Sequence, residues 1–134
     1  MLYRAVGFVV LAGLSWACGD DSGETEADRL GVGAQCASDD DCDVARDGEI
    51  QQHCLDGFKG GYCGIADCEG DDDCPENSAC VAHEDGVNYC FRTCVDKQEC
   101  NRHRDADNES NCSSNIEYVN AERGNKACVP PSGE

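Results

Sequence analysis

The chain has 134 residues, thirteen of them cysteine, and ten Lys plus Arg stand against twenty-eight Asp plus Glu for a net charge of −18. So large an acidic excess argues against nucleic acid and other polyanions as partners, because their recognition depends on cationic side chains. From Cys18 onward only fourteen residues are Leu, Ile, Val or Phe and no Trp or Met remains; without cross-links such a balance belongs to a disordered chain.

At the N-terminus, Arg4 precedes an apolar run from Ala5 to Leu14, and Ala17 is a small residue placed just before Cys18. The run has the length of a signal-peptide core and is too short to span a bilayer as a permanent helix, so residues 1–17 read as a signal peptide. The stretch "LSWAC", 14 to 18, resembles the lipobox of bacterial lipoproteins, with Ser15 where that family usually has Leu and Trp16 where it usually has a small residue. The resemblance implies that Cys18 is lipidated and becomes the first mature residue. It also implies an exported protein of the bacterial cell envelope, anchored by lipid to the outer membrane. The other reading is an ordinary secretory signal that leaves Cys18 as a free or intermolecularly paired thiol. Gly, Ser, Thr, Asp and Glu dominate the following stretch, and residues 18–34 read as the lipidated cysteine and a flexible acidic tether.

Twelve cysteines remain, an even number, and their density points to a disulfide scaffold in an oxidising compartment. "CASDDDC" (36 to 42), "CEGDDDC" (68 to 74) and "CVDKQEC" (94 to 100) each hold two cysteines with five residues between them, and two more cysteines follow each pair. The modules are therefore Cys36, Cys42, Cys54 and Cys63 in residues 35–67; Cys68, Cys74, Cys80 and Cys90 in 68–93; and Cys94, Cys100, Cys112 and Cys128 in 94–130, with a tail at 131–134. The expected fold class is small and disulfide-rich: three four-cysteine modules with short β-hairpins and little regular secondary structure.

The hairpins are "LDGFKGGY" after Cys54, "VAHEDGVNY" after Cys80 and "SSNIEYVNAERGNKA" after Cys112, with Asp56-Gly57, Asp85-Gly86 and Gly124-Asn125 as turn formers. Tyr62 and Tyr89, each just before a fourth cysteine, are expected to pack on their own disulfides as a substitute core. Spacing leaves three pairings open in each module; first with third and second with fourth is the expectation, because it pins the opening loop against the hairpin. The pattern of an acidic loop followed by a glycine-containing hairpin resembles short EGF-like repeats and the cysteine-rich N-terminal region of Dickkopf-type secreted proteins.

No catalytic constellation is legible. His53, His83 and His103 fall in three different modules, and no serine or cysteine has triad or elbow surroundings. Zinc is disfavoured because the close pairs Cys63/Cys68 and Cys90/Cys94 read as links between modules. "SDDDCD" (38 to 43) and "GDDDC" (70 to 74) offer carboxylate oxygens to calcium, with Asp39, Asp41, Asp71 and Asp73 as the ligands of a weak site. Neither run matches the EF-hand loop, and the expectation is solvated loop tips with no cofactor, weak calcium binding being the alternative. The sequons at Asn108 and Asn111 would matter only in a eukaryotic secretory pathway. "RHR" at 102 to 104 reads as a solvated basic loop.

The expected function is that of a non-catalytic envelope lipoprotein whose modules bind or adhere to an extracytoplasmic protein or glycan. The alternative is a secreted cysteine-rich inhibitor or effector, set apart by an unlipidated Cys18.

Overall fold

The computed structural model describes residues 25–45, 47–120 and 124–133. The expected signal peptide and Cys18 lie outside the described residues. Six disulfides join Cys36–Cys54, Cys42–Cys63, Cys68–Cys80, Cys74–Cys90, Cys94–Cys112 and Cys100–Cys128, so every module adopts the interleaved pairing of first with third and second with fourth. The fold is small and disulfide-rich, built mostly of short antiparallel strands with two short helices.

Turn chemistry sets the strands. β1 (His53–Cys54) and β2 (Cys63–Ala66) pair with Cys54 opposite Cys63. The left-handed residues of this first hairpin are Gly60 and Gly61 rather than the Asp56-Gly57 turn former. A Cβ on Gly61 would lie 2.1 Å from the carbonyl oxygen of Cys36, so only glycine lets the hairpin meet the module's first cysteine at this distance. β3 (Ser78–Ala82) and β4 (Asn88–Cys94) form the second hairpin, with Gly86 at φ 84° in the turn. In module three β5 (Asn111–Ser113) pairs with β7 (Lys126–Val129), Cys112 opposite Cys128. Between them β6 (Glu117–Tyr118) leaves its own module and pairs with β3 at Val81 and Ala82.

The modules are thus not separate beads. β4 pairs with β3, with β2 of module one through Tyr89 and Cys90, and with β7 of module three through Thr93 and Cys94. This strand brings apolar side chains from all three modules to one place, where Phe58, Tyr62, Val81, Phe91 and Ala127 are buried together with Ala27, Leu30 and Val32. No module has enough apolar area for a core of its own, and pooling is the way it can be removed from water.

The two tyrosines accordingly do not pad their own disulfides. Tyr62 packs edge-on against Phe91 at 5.3 Å and Phe58 at 6.1 Å, its hydroxyl donating to the Cys128 carbonyl and accepting from the Arg92 N–H. Full burial pushes its pKa up to about 12. Tyr89 stacks on Phe91 at 5.6 Å, as residues two apart on one face of a strand should.

Two segments expected to be loose are folded. α1 (Glu26–Leu30) begins with a capping box in which Thr25 and Asp28 bond each other's backbone N–H. It buries Ala27 and Leu30, and Asp28 pairs with Arg92. The flexible-tether reading therefore fails over residues 25–34, because their few apolar residues are spaced to fill the shared core. At the other end, the Lys59 N–H donates to the Pro131 carbonyl and the Gly133 N–H to that of Gly57, with Ser132 opposite Phe58. The tail is a strap that returns to module one. α2 (Lys97–Cys100) is a single turn capped by Asp96, whose side chain accepts from the Glu99 N–H.

Candidate functional site

The acidic loops are built into the scaffold. Asp39–Asp41 and Asp71–Asp73 each form one 3-10 turn. The acid before each second cysteine accepts the N–H just after the first: Ala37 to Asp41 and Glu69 to Asp73, both at 2.8 Å, and Val95 to Glu99, also at 2.8 Å. The leading aspartate reaches the third cysteine, Cys54 N–H to Asp39 at 2.7 Å and Cys80 N–H to Asp71 at 2.9 Å. The Cys54 N–H, and then the His53 ring at 3.1 Å, hold the Asp39 carboxyl below the usual aspartate range.

The expected calcium ligands Asp39, Asp41, Asp71 and Asp73 are therefore divided between two loops, with oxygens engaged by backbone donors. Among the described residues, the groups of three metal-ligating side chains whose ligand atoms come together consist of cysteines alone, such as Cys36, Cys42 and Cys63. Their sulfurs are bonded in disulfides and present no thiolate to a metal.

The basic loop is also structural. Arg104 is 8% exposed and donates to the carbonyls of Gly61 at 2.7 Å, Lys59 at 2.8 Å, Gly33 at 3.2 Å and Asn108 at 2.7 Å. Its guanidinium lies 5.8 Å from the Tyr62 ring centre. The solvated-loop reading holds for Arg102 and His103, which are exposed, and is corrected for Arg104.

Among the described residues several open hollows have room for a ligand, two of about 500 Å³ beside Gly60 and Asn101 and a groove of about 450 Å³ between the second hairpin and the long insertion of module three. One wall is Val81 to Glu84, where β3 runs into its turn. The other is Ser113, Asn115, Ile116 and Glu117, which lead from β5 into β6, with Val129 of β7. Val81 is buried, and Ile116 and Val129 are half-buried against the core. The His83 ring stands edge-on to Phe58, Tyr89 and Phe91 at 5.6 to 5.7 Å.

The turn above this wall is held in place. His83 N–H donates to the Val87 carbonyl, Gly86 N–H to that of His83, and Asp85 accepts from the Val87 N–H and the Tyr89 hydroxyl. Burial, and then the Asp85 carboxylate, push Tyr89 up to about 12. Burial tends to raise Asp85, but the bonds from Val87 and Tyr89 outweigh it and leave the carboxyl below its ordinary value. Glu84 and Glu117, by contrast, are exposed, and among the described residues neither carboxylate has a hydrogen-bond or ion-pair partner.

The groove joins the hairpin segments "VAHEDGVNY" and "SSNIEYVNAERGNKA". Sequence reasoning recognised both hairpins and missed the site between them, because nothing local indicates that β6 pairs with β3. The histidines are not brought to it as a set: His83 is on its wall, while His53 faces Asp39. What the groove offers is a lining more polar than apolar, with two exposed carboxylates and the half-buried Ile116 and Val129. Compared with models of known protein families, with curated proteins and with solved structures, the chain matches none.

Proposed function

We propose that this chain is an exported cell-envelope lipoprotein, acylated on Cys18 and held at the bacterial outer membrane, whose body is a rigid non-catalytic binding module. The observation that carries the reading is the cross-linking itself. Six bridges stitch a body of so little apolar content, and a fold of this kind belongs in an oxidising, extracytoplasmic compartment. Among the described residues no helix is long and apolar enough to cross a membrane; on this reading attachment falls to the lipobox-like Cys18.

The described residues begin at Thr25. Seven residue steps from Cys18 span at most about 25 Å, so an anchored body would sit close to the membrane surface. One acyl chain binds only marginally, and multiple acylation is the expected modification. The binding partner would be an extracytoplasmic protein or glycan met by surfaces whose backbone is fixed in advance, which lowers the ordering cost of association.

Membrane fractionation, with intact mass before and after reduction, tests this. The native chain should start at Cys18 with added acyl chains, and twelve thiols should become alkylatable only on reduction. Cys18→Ser should move the protein to the soluble fraction. Retention of Cys18→Ser on membranes would sink the anchor, and a soluble, unacylated native chain would put the secreted inhibitor or effector in its place.

A further inference from the structure

We infer that module three carries a thiol-exchange site: an external thiolate enters at Cys112, and the Cys94 thiolate it displaces moves on to the Cys100–Cys128 bridge. Such exchange is a property of the folded body, independent of how the chain is anchored, and goes beyond the binding-module reading. In every module the third cysteine stands opposite the fourth on an adjacent antiparallel strand: Cys54 and Cys63, Cys80 and Cys90, Cys112 and Cys128. Both bridges of a module therefore leave its hairpin side by side for the same opening loop. The sulfurs of the first, second and fourth cysteines gather within 4.8 Å of one another in each case, Cys94, Cys100 and Cys128 in module three. A thiolate on the first cysteine would thus stand beside an intact disulfide, at little more than the roughly 3–3.5 Å of a reacting pair.

Access separates the modules. For the first cysteine to leave as a thiolate, the third must be attacked. Cys80 of module two is fully buried, which closes that entry. Cys54 of module one is half-buried, but the Asp39 carboxylate accepts its N–H at 2.7 Å. The half-buried cysteine of module two is Cys74, which directly follows Asp71, Asp72 and Asp73. Cys112 is half-buried between Asn111 and Ser113, and Lys97 stands where the other two modules have their leading aspartate. An acid about 6 Å from the attacked sulfur slows an anionic thiolate about threefold in water, so entry is least opposed in module three.

The exchange balances without an oxidant. The thiolate of a small external thiol bonds the Cys112 Sγ and breaks the Cys94–Cys112 bridge, leaving Cys94 as a thiolate. The Cys94 Sγ then bonds that of Cys100, and the Cys100–Cys128 bond breaks with its electron pair going to Cys128. Finally the Cys128 thiolate attacks Cys112, its opposite number across the β5 and β7 pair, forming Cys112–Cys128 and expelling the external thiolate unchanged. In the product, loop and hairpin are each closed on themselves and no bridge joins them.

The test uses the native oxidised chain, with any free thiol first blocked by iodoacetamide, exposed to mercaptoethanol at neutral pH, trapped with N-ethylmaleimide in acid and mapped by peptide mass. The expected early products are mercaptoethanol on Cys112 with a trapped thiol on Cys128 or Cys100, followed by Cys94–Cys100 and Cys112–Cys128 linkages. Attack at Cys112 should be about threefold or more faster than at Cys54 or Cys74. A thiol that stays on Cys94 beside an intact Cys100–Cys128 bridge, first attack in module one or two, or no reaction until all the bridges open together would overturn the inference. Cys112→Ser is a second check that needs no reagent: it leaves a thiol on Cys94, which should be found shared with Cys100 and Cys128. A thiol confined to Cys94 in that variant would equally overturn the exchange, and the map of the native chain decides the matter even where the variant fails to fold.

Discussion

In modules one and two the acidic triplet opens with an aspartate, Asp39 or Asp71, that accepts the N–H of the third cysteine. In module three Lys97 stands at that place and pairs with Glu109 at the surface. What module three has instead is Arg104, which donates to the carbonyls of Gly33, Lys59 and Gly61, all in the N-terminal half of the chain. Arg92 of module two does similar work, reaching Asp28 of α1 and the Glu99 carbonyl of module three. In this body the triplet acids tie each loop to its own module, and two of the few cations tie the modules to one another. A guanidinium suits the second task because its planar fork serves several carbonyls at once.

The contrast can be broken most directly at module three. Arg104→Ala strips four backbone carbonyls of their donor in a buried place and should cost about 3–5 kcal/mol in denaturant unfolding of the oxidised chain. Lys97→Ala removes only an exposed ion pair and should stay within about 1 kcal/mol. Similar losses from the two would mean that module three is not held through its arginine.

The bridges sharpen the same contrast. Cys100–Cys128 closes a separation of 28 residues and Cys68–Cys80 one of 12. Loop-closure entropy assigns them about 3.6 and about 2.8 kcal/mol. Cys100→Ala/Cys128→Ala should therefore destabilise more than Cys68→Ala/Cys80→Ala, by about 0.8 kcal/mol at matched denaturant slope. The reverse order would show that local acid bonding in module two, rather than loop length, sets what a bridge contributes.

Legibility followed the range of the interactions. The three hairpins could be expected from turn residues, which act over short stretches of chain, although the first turns at Gly60 and Gly61 rather than Asp56-Gly57; the interleaved pairing was one of three that spacing left open. Composition misjudged residues 25–34, because a mostly polar segment needs only Ala27, Leu30 and Val32 in the right register to join a core made elsewhere. The triplets looked like cation ligands because a carboxylate that caps a backbone N–H and one that awaits calcium have the same sequence. Arg104 looked solvated between Arg102 and Asp105, and only the fold brings the Gly33 and Gly61 carbonyls to it. The groove was least legible of all, since its walls meet through β3 and β6, strands that belong to different modules.

The finest distinction lies within the acid bonds themselves. Cys80 is buried, and Asp71→Ala would leave its N–H without an acceptor at a cost of about 2 kcal/mol. Asp39 is exposed, and Asp39→Ala should cost less than Asp71→Ala in the same unfolding assay. Its signature is in pH. The Asp39 carboxyl is held below the usual aspartate value of 3.8 by the Cys54 N–H and by His53, so it takes up a proton more readily in the unfolded chain than in the folded one. Its contribution is whole above that value and is lost as pH falls through the lower, folded one. The wild type should lose stability in that acid window faster than Asp39→Ala, so that their curves converge. Curves that stay parallel below pH 3.8 would mean that the Asp39 bond contributes nothing to folding and that the loop is set by its disulfides alone.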